Sequence, residues 1–131
     1  MTKETKVTFN TKSLLVVVPV TVKVKGVIQK YDFAVDTGAS ITLIDSDIIK
    51  KMGYTEARSI GTTHTVTASR TETVHEYSLD NFMALGLIRR NFKVISRSLP
   101  LGLGIDGLLG LNFFKHKELN IDFKIGEIRI G

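Results

Sequence analysis

Residues 36–40 read Asp-Thr-Gly-Ala-Ser and lie between two apolar runs, Phe33-Ala34-Val35 and Ile41-Thr42-Leu43-Ile44. A carboxylate on so short a connection between strands is held rigidly. The residues after it supply backbone N–H donors, and Gly38 lets the chain turn without a Cβ clash. Such a carboxylate can act as a general base on water. It cannot be base and acid in the same step, so a second carboxyl group is needed. The other aspartates are Asp32, Asp45, Asp47, Asp80, Asp106 and Asp122, and none is followed by Thr-Gly or Ser-Gly. A two-fold homodimer meets the need, because an isologous interface can set Asp36 of one chain against Asp36 of the other. The bland reading is an ordinary turn, since Asp, Thr and Gly all favour turns. Weight is added by a second element further along the chain, Asp106-Gly107-Leu108-Leu109-Gly110-Leu111.

The elements that must position these residues are mainly strands. Val, Ile and Thr number 39 among 131 residues against 5 Ala, and β-branched side chains fit a pleated surface better than a helix. Hydrophobic residues make up 43% and charged residues 24%, which suits one compact domain over 1–131 with 1–12 as a flexible lead-in. The pattern predicts a strand over 14–25, a turn at Gly26 and a return strand from Ile28 to Val35 that ends at Asp36. A short helix capped by Asp45 or Ser46 should run through Lys51 and close at Gly53. The Thr-rich stretch 60–78 reads as a hairpin turning near 68–70, with too few large apolar residues to bury both faces. Further strands are expected over 82–87 and 92–95, a short helix from Leu111 to about Lys115, and a terminal hairpin over 119–130 turning at Gly126.

With these residues in view, the sequence resembles the aspartic protease clan, and more narrowly its retropepsin-like members with a single Asp-Thr-Gly motif. The resemblance covers 14–130 and follows the order of hairpin, Asp-Thr-Gly loop, short helix, flap hairpin, then Leu-Leu-Gly running into a helix. It implies an all-β, closed acid-protease barrel with one or two short helices, its Asp loop lying beside Leu108-Leu109-Gly110. It also implies an aspartic endopeptidase, acting on a peptide or protein substrate as a homodimer without metal or other cofactor. Asp36 matches the catalytic carboxylate, Thr37 the residue whose hydroxyl braces the two loops across the dimer axis, and Gly38 the tight-turn position. Ala39, Ser40, Val66, Thr67, Ala68 and Ser69 match substrate-binding positions, with 66–71 as the flap tip. In such a pair, two carboxylates about 3 Å apart share one proton, a behaviour already established for aspartic proteases as a class. Viral members carry an acidic residue and an Arg where this chain has Ser40 and Leu111, so their dimer-supporting ion pair is missing and the terminal hairpin is expected to serve as interface. Ala39 replaces a hydroxyl found in pepsin-like enzymes, which should move activity toward mildly acidic pH. The alternative is a noncatalytic dimeric peptide-binding module of the same fold.

Other chemistries find less support. The absence of Cys excludes disulfides, thiolate metal sites and a Cys nucleophile. The net charge of +5 comes from basic residues scattered singly and in pairs, which reads as a solvated surface and not a nucleic-acid site. Gly102-Leu103-Gly104-Ile105-Asp106-Gly107 has the form G-x-G-x-x-G but no surrounding βαβ unit, and Asp106 reads as a structural hydrogen-bonding residue at a turn. His64 and His75 on the flap hairpin lack a third ligand, and His116 reads as a helix-end or surface residue. Ser40 and Ser69 have no nucleophile-elbow setting; Phe113 and Phe114 read as core. Lys3, Lys6 and Lys12 before the apolar run 14–18 resemble a secretion signal, but Pro19 and the alternation Val20, Val22, Val24 favour a strand. No run reaches the roughly 18 apolar residues needed to span a bilayer, so a cytoplasmic location is expected.

Overall fold

The computed structural model describes residues 4–66 and 69–131. Strand β2 (Val17–Val24) buries Val18, Val20, Val22 and Val24 on one face while Pro19, Thr21 and Lys23 point away from the core, the period-two pattern of a strand with one covered face. It turns at Lys25-Gly26, both at positive φ, into β3 (Val27–Val35), the two-residue hairpin geometry that matches strand twist. Strand β4 (Leu43–Asp45) leads into helix α1 (Ser46–Lys51). The Asp45 carboxylate accepts from Asp47 N at 2.8 Å as the N-cap, so Asp45 and not Ser46 caps the helix, and Gly53 follows at φ 91°. A 3-10 turn at Glu56–Arg58 precedes the hairpin of β5 (Gly61–Val66) and β6 (Thr71–Ala84).

Strand β7 (Leu87–Arg97) returns antiparallel to β6, then come β8 (Gly107–Leu109), α2 (Leu111–Phe114), β9 (Leu119–Asp122) and β10 (Glu127–Ile130). Hydrogen bonding runs β2-β3-β8-β4-β7-β6 and back to β2, closing a six-stranded barrel, and β5 extends it beyond β6. The β3–β8 and β4–β7 pairs are parallel. The expected all-β closed barrel with two short helices is what the chain forms. Its centre is an aromatic cluster in which Phe82 packs against Phe33, Phe92 and Phe113 with centroids 5.5, 4.7 and 5.6 Å apart. Burying each such ring contributes about 2 kcal/mol or more. Burial also raises the phenol pKa of Tyr54, keeping it a neutral donor to Ser78 O at 2.8 Å.

Three segments depart from expectation. Residues 82–87 do not form one strand, because the chain reverses at Leu85-Gly86, both at positive φ. Leu is an unusual choice there, and its burial in the core outweighs local turn preference. The strand expected over 92–95 is correspondingly longer, as β7. At the front, 14–16 precede β2, and Leu14 is fully exposed. Ser13 N bonds Asn10 O and Leu15 N bonds Ser13 Oγ, so local turn bonds displace a strand that apolar composition suggests. Within 1–12, strand β1 (Thr5–Thr8) pairs antiparallel with β10, forming a three-stranded sheet in the order β1-β10-β9.

The G-x-G-x-x-G form ends in β8 with no helix at its glycines. Gly107 is required for packing, since a Cβ there would lie 2.3 Å from Phe33 Cε2 and 2.4 Å from Leu43 O. Gly107→Ala is therefore expected to lower stability by roughly 3 kcal/mol, read from urea unfolding followed by circular dichroism.

Candidate active site

Asp36 is the first residue beyond β3. Its N–H donates to Leu109 O at 3.0 Å, carrying the parallel β3–β8 pairing one step further. The loop closes when Ala39 N bonds Asp36 O at 3.2 Å. Gly38 N donates to Asp36 Oδ1 at 2.9 Å, which fixes the carboxylate against its own loop. A Cβ on Gly38 would approach that oxygen to 3.2 Å, so glycine keeps the donor accessible. The other oxygen, Oδ2, takes no hydrogen bond from the described residues.

The Leu-Leu-Gly segment crosses directly behind this loop. Leu111 N bonds Ala39 O at 2.8 Å and Asn112 N bonds Ser40 O at 3.2 Å. Gly110 allows the approach, because an added Cβ would stand 2.7 Å from Ile41 C and 2.8 Å from Ala39 O. Two residues not singled out from the sequence lock the crossing. Thr42 is completely buried. Its hydroxyl accepts from Gly110 N at 3.0 Å and donates to Asn112 Oδ1 at 2.8 Å, while its N–H donates to the same Oδ1 at 2.7 Å. Asn112 Nδ2 then donates to Lys93 O at 2.8 Å. The available signal was a lone polar residue inside the apolar run 41–44.

Asp36, Gly38, Ala39, Ser40 and Val66 line one cleft of about 350 Å³, together with Ile41, Leu43, Thr63, His64, Thr65, Ile95, Arg97 and Leu108. Thus five of the sequence-predicted site residues meet. Thr37 is exposed at the loop tip, and Ser69 is exposed at the end of the hairpin. Thr67 and Ala68, also expected to bind substrate, lie outside the described residues. Arg97 was not anticipated, because nothing in the sequence around it marks it as a cleft residue.

Other candidates have local roles. Asp106 Oδ2 accepts from Asp32 N at 2.8 Å, the structural hydrogen bond expected of it. His64 Nδ1 lies 3.1 Å from Thr73 Oγ1 and His75 Nδ1 lies 3.1 Å from Ser59 Oγ, so the two rings have separate partners. Among the described residues no helix is long and apolar enough to cross a membrane.

A closed barrel that brings an Asp-Thr-Gly loop against a Leu-Leu-Gly strand, beneath a β-hairpin, defines the retropepsin-like aspartic protease class. A family model described as Aspartyl protease matches residues 20–113, and the chain belongs to that family. Among solved structures it is similar to a retropepsin-like aspartic protease from Rickettsia conorii, with a TM-score of 0.73 and 21% identity over 98% of this chain and 89% of that one. Comparison with curated proteins gives no match.

Thr42→Val keeps the shape but strands Gly110 N–H and leaves Asn112 Oδ1 with one donor fewer. A loss of about 2 kcal/mol in urea unfolding is expected, while Thr42→Ser should recover most of it.

Proposed function

We propose that this protein is an aspartic endopeptidase that acts as a homodimer and pairs Asp36 from each of two copies. The observation that carries the reading is the placement of Asp36. It is half-buried, held at one oxygen by Gly38 N–H, and among the described residues the only carboxylate lining the cleft. Membership of the aspartyl protease family supports hydrolysis of peptide bonds as the reaction.

In the proposed mechanism the two carboxylates share one proton. The ionised member takes a proton from a water molecule held between them, and the water oxygen attacks the peptide carbonyl. The protonated member donates to the developing gem-diol oxygen, and collapse of that intermediate delivers a proton to the leaving nitrogen. An extended substrate would run along the cleft under β5, gaining affinity by backbone pairing and selectivity from alternating side-chain pockets. The hairpin must lift to admit it.

Support for pairing comes from the loop's surroundings. Thr37 is exposed, and Leu111, bonded to the loop through Ala39 O, leaves almost half its surface in solvent. With Ser40 and Leu111 in place of an ion pair, apolar contact at Leu111 and the sheet of β1, β10 and β9 would hold the two copies together.

Asp36→Asn is expected to reduce cleavage of extended peptides at mildly acidic pH by at least roughly 1,000-fold. Circular dichroism and sedimentation should be unchanged. Cleavage at the native rate by that variant would contradict the mechanism, and peptide binding without turnover by the native chain would favour the noncatalytic module.

A further inference from the structure

We infer that the cleft beside Asp36 selects an acidic side chain on the bound peptide and that Arg97 is the residue that selects it. This rests on the reading of the cleft as a peptide site. The walls next to Asp36 are apolar, made by Ile41, Leu43, Ile95 and Leu108, and suit the methylene stem of a side chain. The hydroxyl groups of Ser40, Thr63 and Thr65 share the lining, and charged groups are few. Apart from Asp36, the titratable residues in the described lining are Arg97 and His64.

Arg97 is anchored by Nε to Glu72 Oε2 at 3.2 Å, and the other oxygen of Glu72 accepts from Arg70 Nε at 2.8 Å. Glu72 is thus divided between two guanidinium groups, and Arg97 is the one that brings its positive charge to the lining of the cleft. A guanidinium carries five N–H donors in a planar fork suited to carboxylates, more than a shared Glu72 can satisfy. The roof adds a second observation. Thr65 Oγ1 is buried and has no hydrogen-bond partner among the described residues, and Thr65 lines the same cleft. A buried hydroxyl in that state is an unmet demand that an incoming acceptor would remove. Glutamate answers all three features, with its stem on the apolar walls and its carboxylate toward Arg97 and Thr65. Lysine would meet the same positive charge and be disfavoured.

The test uses the full chain carrying Asp36→Asn, so that peptides are bound and not consumed. Extended peptides are compared by fluorescence anisotropy, with one position at a time occupied by Glu, Gln or Lys. At one position Glu should bind about tenfold more tightly than Gln, with Lys weaker still. Adding Arg97→Gln should erase the difference between Glu and Gln. Arg97→Glu should invert the order in favour of Lys, which loss of a purely structural bond would not do. Arg97→Lys, checked by thermal melting, should keep the order with a smaller ratio, and Glu72→Gln should widen it. Equal binding of Glu, Gln and Lys at every position, or no binding of any peptide, would overturn the inference. Cleavage of the same peptides by the native chain reads the proteolytic function separately. Cleavage without charge preference would remove only the role of Arg97, and charge preference without cleavage would remove only the catalytic proposal.

Discussion

The architecture depends on a close crossing of two backbone segments, the Asp36 loop and the strand that ends at Gly110. Parallel pairing of β3 with β8 brings them together, and the absence of a side chain at Gly110 lets the second pass within contact of Ala39 and Ile41. Such an approach buries backbone groups that water can no longer reach, and each must find a partner inside the protein. Gly110 N–H is met by the Thr42 hydroxyl and Leu111 N–H by Ala39 O. Asp36 is thereby placed by covalent geometry and a satisfied polar network, with no reliance on a flexible side-chain contact. Strand β8 also pairs with β4, and β4 with β7, which carries Leu108, Leu43 and Ile95 into the cleft, so the crossing sets the walls as well as the carboxylate.

Much of this was legible from local sequence. The Val alternation of β2, the turn at Lys25-Gly26 and the Asp45 to Gly53 helix each declare themselves within a few residues, because period, φ preference and capping are local properties. Asp36 and its Leu-Leu-Gly partner were legible as a pair, through their resemblance to a known family. What escaped depends on distant partners. Leu85 sits in a turn because the core holds it there, and Thr5–Thr8 becomes a strand because β10 offers an edge. Thr42 and Asn112 are ordinary residues until the fold brings them 2.8 Å apart. Arg97 acquires its meaning from Glu72 and from the cleft it faces, neither of which its neighbours in sequence reveal.

Charge is distributed in keeping with these constraints. Among the described residues the cleft holds one carboxylate, Asp36 at the strand crossing, and one guanidinium, Arg97, which is paired with Glu72. On the proposed account the first does chemistry once a second copy completes it, and the second sorts substrates. On the same account a second copy would dock against the exposed Thr37 at the loop tip and the half-exposed Leu111 beside it.

The most direct measurement of the central claim is peptide cleavage by mixtures of native chain and the Asp36→Asn variant at fixed total concentration, after subunits have exchanged. If each working site needs an Asp36 from both copies, activity falls as the square of the native fraction, because mixed dimers hold a single carboxylate. Activity that falls in simple proportion to the native fraction would show that one chain suffices, and would contradict the account.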